Sequence, residues 1–269
     1  MPKIVLKYDP YFVFQLSPTP CGLYARQKWL GEAGTRAWQN DFKQTVGQLK
    51  SGQTKDGAWH QDPFKTIRRL FGLHLTQRSA DTSIHQALDW LLEKARFTMQ
   101  KKTPLSVSDE DIKGLPFMVG RPDIFMMSAV TFLATIFGRA RDKEVLDYYN
   151  KMTKILSARN RATSNPSAAH NIMRALVVHP TYSRHEATRS VVSWFGKRQG
   201  PAGNWGRGIP FYQAINALAH ISHPEVDRQL MKASRLLEDS QNEDGTWGEH
   251  QREWHTFLVV HALRYRKLV

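Results

Sequence analysis

From about residue 35 onward, apolar positions recur at spacings of three and four, the period of a helix face. Two kinds of run alternate. One kind keeps a polar side: TRAWQNDFKQTVGQLK, TSIHQALDWLLEKARF, KEVLDYYNKMTKILS, HEATRSVVSWFGK and EVDRQLMKASRLLED. In the last of these, Val226, Leu230, Ala233 and Leu236–Leu237 form the stripe. The other kind is more apolar: PFKTIRRLFGLHL, RPDIFMMSAVTFLATIF, NPSAAHNIMRALVVH, IPFYQAINALAHI and REWHTFLVVHAL. Four of these open with a proline in or just before the first turn, Pro63, Pro122, Pro166 and Pro210, where the missing N–H is no loss. The pattern predicts five helical hairpins, plus a short helix near Leu23–Glu32. Extended structure is expected only in the first 16 residues, over KIVLKY and YFVFQL.

Apolar helices belong inside and amphipathic ones outside. Alternation of the two predicts an all-α fold in two concentric layers, an α/α toroid of about five hairpins, complete or incomplete. An open α-solenoid is the alternative, but it buries both helices of a pair more evenly. Residues 1–37 are expected to be an N-terminal capping segment and residues 38–269 the repeat domain. A second copy or the N-terminal segment would close any open seam.

Three turns between the two helix kinds share a motif: GQTKDGAWH, QGPAGNWG and QNEDGTWG. The Gln-to-Trp spacing is constant, Gln53 to Trp59, Gln199 to Trp205 and Gln241 to Trp247. Asp-Gly is turn chemistry, because Gly takes a positive φ and Asp folds back on its own backbone. The Trp is expected to plug apolar surface between helix ends, its N–H requiring a partner. The Gln side chain is suited to the orphan N–H groups of a helix start.

Gln-x(3)-Gly-x-Trp between an outer and an inner helix resembles the QW repeat of squalene and terpene cyclases, and the repeats of protein prenyltransferase β subunits. QNEDGTWGEHQREWHTFLVVHAL carries the resemblance best, then QGPAGNWGRGIPFYQAINALAHI. The resemblance implies the toroid and an apolar isoprenoid-type substrate in a central cavity. The family's catalytic marks do not carry over. The nearest approach to its Asp-x-Asp-Asp acid is Asp109-Glu110-Asp111, with Ile112 in the last place. SVSDED reads instead as a helix N-cap with acidic first-turn residues. No Asp-Asp-x-x-Asp occurs, and Cys21 lies outside the repeats, so the prenyltransferase zinc site does not transfer. Squalene cyclases also need a second toroid, and this chain has room for one.

The chain has 269 residues, 41% of them apolar, and a formal charge of +14. That charge favours anionic partners. Cys21 is the one cysteine, so no internal disulfide forms. No signal peptide is read at the N-terminus. The apolar run Ile124–Gly138 is short of the ~20 residues a membrane span needs, though peripheral membrane contact stays open. A cytoplasmic protein is the expectation. Neither cofactor nor metal is called for: His250 and His255 are five apart, not at the spacing that puts two ligands on one helix face.

In a toroid the inner helices start at one end, so residues after each Trp converge on one mouth. The candidate acid/base set is His250, Glu253, His255, Asp62 and Asp123. The candidate substrate contacts are Trp59, His60, Trp205, Arg207, Tyr212 and Trp247. His170 opens a further inner helix, and Arg68 or Arg69 on an otherwise apolar helix would meet an anion or sit at the helix edge. Eight Trp, thirteen Phe and eight Tyr suit carbocation stabilisation by ring faces. Two other readings compete: an acidic-polysaccharide lyase, disfavoured by the missing signal, and a non-catalytic basic scaffold. Nucleic acid is disfavoured as a partner, because no recognised motif interleaves aromatic and basic residues. Oligomeric state is not readable.

Overall fold

A computed structural model describes residues 3–100, 105–157, 165–206 and 208–269. Among them run eleven α-helices: α1 Pro20–Lys28, α2 Arg36–Lys50, α3 Pro63–Thr76, α4 Thr82–Met99, α5 Pro122–Ala134, α6 Lys143–Ser157, α7 Pro166–Leu176, α8 Glu186–Arg198, α9 Phe211–Ala219, α10 Pro224–Asp239 and α11 Arg252–Tyr265. The ten helices α2 to α11 are the ten predicted from periodicity. Two expectations need correcting. The short helix begins at Pro20, capped by Thr19 Oγ1 accepting from Gly22 N, and ends at Lys28 rather than Glu32. YFVFQL is not extended: Phe12–Phe14 form a 3-10 turn.

The chain divides into two compact units, one of residues 1–42 with 189–269, the other of residues 43–188. In the second unit α3, α5 and α7 are the apolar helices. Eleven consecutive residues of α5, Ile124 to Ala134, are buried, and α5 packs against α7 and α4. α4 and α6 keep an exposed side. In the first unit α9 packs tightly on α11, and α1 lies against α11.

The caps follow the sequence. Asp62 accepts from Phe64 N and Lys65 N at the start of α3, Asp81 from Ile84 N at α4, and Asn165 from Ala168 N at α7. Each satisfies N–H groups that the first turn leaves without a helical partner.

The three motif turns are near-identical devices. Trp59 and Trp247 are fully buried and Trp205 nearly so. Trp59 Nε1 donates to Ser51 O at 3.1 Å, Trp247 Nε1 to Leu237 O at 2.8 Å, and Trp205 Nε1 to Gln229 Oε1 at 3.3 Å. Each Gln amide donates to the turn glycine's carbonyl, Gly57, Gly203 and Gly245. It also donates to a main-chain carbonyl of the element packed beneath, where the sequence suggested that the Gln side chain would take up N–H groups of a helix start. Those glycines have positive φ and approach that element so closely that a Cβ would strike its backbone, so only Gly fits.

Candidate functional site

In the first unit, Tyr212 is the second residue of α9 and His255 the fourth of α11. Packing of α9 on α11 sets their rings 4.7 Å apart. The turn before α11 is close: a side chain on Gly248 would collide with His255 Nδ1. Burial lowers the His255 pKa below the usual histidine value, with a bond to the His250 backbone opposing it. Its imidazole is therefore neutral at pH 7. Burial raises the Tyr212 phenol, opposed by Ser240 and the Gly248 backbone. Tyr212 keeps its proton at neutral pH.

Glu253, in the first turn of α11, is bound by two hydroxyls: Ser17 Oγ donates to Oε1 at 2.5 Å and Thr19 Oγ1 at 2.7 Å. His250 is exposed in the preceding loop. Behind them stands an aromatic wall. Phe257 stacks with Trp254 at 5.5 Å and Trp29 at 5.4 Å, and meets Tyr24 edge-on at 5.3 Å. His261 lies 5.7 Å from Phe257.

In the second unit, Asp62 is spent on capping α3. Asp123 opens α5 and pairs with Arg121 at 2.5 Å. Burial pushes its pKa up, but the hydrogen bond and charge of Arg121 outweigh it, and the net direction is down. Asp123 is an ionised group at neutral pH, unsuited to donating a proton. His60 is exposed with φ +57°. Arg68 donates to Glu110 O at 2.6 Å and Arg69 to Gln48 O, so both hold neighbouring backbone. The Asp109–Glu110–Asp111 stretch is an exposed turn in which Asp111 accepts from Ser108, and no helix follows directly. It is not the helix N-cap that SVSDED suggested. Arg207 lies outside the described residues.

Sequence reasoning missed the aromatic cluster of this unit. Phe117 meets Phe132 at 5.6 Å and Phe125 at 5.9 Å, and Phe125 meets Phe64 at 5.6 Å. Arg174 of α7 lies over the Phe132 ring at 5.3 Å, buried, its pKa pushed down to about 10 by desolvation. Asn171, one turn earlier on the buried side, donates to Met118 O at 2.9 Å and accepts from Met118 N at 2.8 Å. That bond pair fixes the loop carrying Phe117. An Arg and an Asn inside the apolar run NPSAAHNIMRALVVH were the available signal.

The structure brings Tyr212, His255 and Glu253 to neighbouring helix starts. Trp59, Trp205 and Trp247 are locked in their turns. A void of about 10 Å³ among Ile4, Ile215, Ala219, Leu237 and Leu263 is smaller than a prenyl unit and belongs to the core. No described helix is long and apolar enough to cross a membrane, and among the described residues no cluster of three His, Cys, Asp or Glu is placed to hold a metal ion.

Residues 140–261 match the squalene-hopene cyclase C-terminal domain. The labda-7,13-dienyl diphosphate synthase of Streptomyces clavuligerus is 27% identical over 147 residues, which is 50% of this chain and 27% of that protein. The match thus spans about a quarter of that relative's length. Among solved structures, a protein from Actinoplanes is 18% identical, covering 98% of this chain and 92% of that one, with a TM-score of 0.57. The type II terpene cyclase MstE from Scytonema is 14% identical, covering 94% and 89%, with a TM-score of 0.59. An MstE variant solved with the substrate geranylgeranyl dihydroxybenzoate is 14% identical, covering 94% and 87%, with a TM-score of 0.57. The fold is terpene cyclase-like, of the all-α toroid class.

Proposed function

We propose that this chain holds an isoprenoid-type substrate against its aromatic walls and acts on it in the manner of a terpene cyclase. The observation that carries the reading is an aromatic cluster in each unit: Trp254 and Phe257 of α11 with Trp29 after α1, and Phe125 and Phe132 of α5 with the loop residue Phe117. Ring faces attract a cation by roughly 0.5–1 kcal/mol at exposed sites and about 2 kcal/mol when desolvated. The resemblance to a diphosphate synthase and to a cyclase of a geranylgeranyl substrate supports the substrate class.

The side chains sort by what their protons do. Neutral His255 is the proton acceptor, suited to ending a cation cascade by removing a proton. Tyr212 orients it by ring contact at 4.7 Å. In the same unit as His255, Trp205 and Trp247 support the site by fixing helix ends. In the other unit, Asp123 remains ionised beside Arg121. In the absence of an Asp-x-Asp-Asp motif, the initial proton donor is assigned to none of these groups. Net charge of +14 draws a diphosphate-bearing substrate toward the chain.

The test is direct. The purified chain is incubated with geranylgeranyl diphosphate, with farnesyl diphosphate and with a geranylgeranylated aromatic acid. Products are followed by gas chromatography–mass spectrometry, and bound species by native mass spectrometry. A cyclised product, or a retained prenyl species that His255→Ala alters, supports the reading. Neither turnover nor binding with any of the three would sink it.

A further inference from the structure

The element beneath each motif turn differs in one case. Gln53 Nε2 donates to Ser83 O at 2.8 Å, in the first turn of α4. Gln199 Nε2 donates to Gln229 O at 2.8 Å, on α10. Both acceptors lie on the next outer helix. Gln241 Nε2 donates at 2.9 Å to Tyr8 O, which is on no helix.

The close approach of the glycine repeats the substitution. A Cβ on Gly57 would strike the Gln86 backbone, three residues beyond the Ser83 acceptor. On Gly203 it would strike Lys232, three beyond Gln229. On Gly245 it would strike Asp9, one beyond Tyr8. Three helical residues rise about 4.5 Å and one extended residue about 3.3 Å, so both steps cover a similar distance.

We infer that residues 4–10 are a latch that takes the place of the next outer helix on the last motif turn, and that its continuation to Thr19 positions Glu253.

The latch is stitched along its length. Gln241 Oε1 accepts from Lys7 N at 3.0 Å and from Tyr8 N at 3.2 Å, bonds that, among the described residues, helix N–H groups in the other copies do not make. A helix has already used its own N–H groups, whereas an extended chain offers them. Ile4 N donates to Leu268 O at 2.9 Å, and Arg264 reaches the Tyr11 hydroxyl at 3.0 Å. Downstream, Ser17 and Thr19 deliver their hydroxyls onto Glu253. Gly22 is required there, since any Cβ would strike Ser17 Oγ. Any further hairpin stacking on this turn must displace the latch, because both need the same Gln241 amide. The link from the latch to Glu253 as a working group rests on the proposed function; the latch itself does not.

Cys21, the chain's one cysteine, is a built-in probe. Its thiol is buried 3.4 Å from Thr19 Oγ1, and burial, then the Glu253 charge, holds it un-ionised. The experiment compares the unmodified chain, Gln241→Leu and Gln199→Leu by thiol labelling at pH 7.5 and by hydrogen exchange across residues 4–16. In the unmodified chain the Lys7 and Tyr8 amides are protected. Gln241→Leu speeds both their exchange and Cys21 labelling by about tenfold or more, while Gln199→Leu leaves both unchanged. Unprotected Lys7 and Tyr8 amides in the unmodified chain would overturn the latch, and so would equal loosening by the two variants. If Gln241→Leu does not fold, Tyr8→Pro, which deletes one donor to Gln241, takes its place with the same two outcomes. Ser17→Ala with Thr19→Ala then tests the downstream link: substrate turnover or binding falls while Lys7 and Tyr8 stay protected. Unchanged turnover overturns that link alone.

Discussion

Trp205 and Gln229 form a side-chain bond that the other two motif turns replace with backbone: Trp205 Nε1 donates to Gln229 Oε1 at 3.3 Å, while Gln229 Nε2 donates to Val192 O at 2.9 Å. Trp59 and Trp247 find carbonyls at the end of the preceding helix instead. Gln229 is 2% exposed, so no water replaces it. Gln229→Leu is expected to strand the indole N–H and remove the tie to the Val192 carbonyl, and to cost about 1–3 kcal/mol. Urea denaturation with tryptophan fluorescence checks it; a change under about 0.5 kcal/mol would show that the bond is dispensable.

Asp81 gathers more donors than any other cap here: Ile84 N, Ser83 Oγ, Gln77 Nε2 and Lys50 Nζ, the last at 2.6 Å. Burial pushes its pKa up, but the Lys50 bond and the other donors outweigh that, and the folded value falls well below 3.8. The unfolded chain therefore binds the proton more readily than the folded one. Stability from Asp81 is fully present above pH ~5 and is lost as pH falls through ~4 and below. Asp81→Ala is expected to cost about 1 kcal/mol at pH 7, kept small because the pair is a third exposed, and the gap to the parent should narrow toward pH 3. A gap that widens on acidification would reverse the assignment.

Helix positions were legible because an outer helix such as α10 and a buried one such as α5 carry different stripes. The turns were legible because Gln, Gly and Trp each do a job that few residues do. The partner of each Gln was not, since Ser83, Gln229 and Tyr8 contribute only carbonyls, which every residue has. YFVFQL misled for a related reason: Tyr11 and Phe14 pack edge-on against Trp29, Phe14 at 5.5 Å, while Phe12 and Leu16 stay exposed, so the alternation marks no strand face. At the site, spacing pointed to Tyr212, Glu253 and His255. It gave no hint that Ser17 and Thr19, more than 230 residues away, hold that Glu. Asp62 and Asp123 looked like acids by position, and their neighbours Phe64 N and Arg121 make them a cap and an ion pair.

Arg26 is fully buried on α1, with Nε donating to Glu32 at 2.8 Å and Nη1 to Asp41 at 2.7 Å. The cation bridges the start of α2 to α1. Arg26→Met is expected to destabilise by about 2–3 kcal/mol, below the 3–5 of a wholly buried pair, because Glu32 and Asp41 are 28% and 33% exposed and regain water. Arg26→Lys recovers little, since one ammonium does not reproduce the fork. Full recovery by Lys, read as an unchanged urea midpoint, would show that charge alone matters.

His255 is half-buried in the first turn of α11. Its ring lies 4.7 Å from Tyr212, and burial depresses its pKa below 6.5. In the unfolded chain the same group takes up a proton near pH 6.5. Between the two values the unfolded state binds more protons, so stability rises with pH and is lost as pH falls below about 6.5. His255→Phe keeps a ring beside Tyr212 and removes the titration. Its urea midpoint is expected to vary less than the parent's between pH 5 and 8. The imidazole Cε1 proton, followed by NMR, should titrate below the ordinary histidine value. If the proposed function holds, turnover in the parent falls on the acid side as this same group protonates, because an imidazolium accepts no proton. A titration at or above 6.5 would mean that the ring is hydrated and would remove His255 as the acceptor, leaving the aromatic walls without a base at the start of α11.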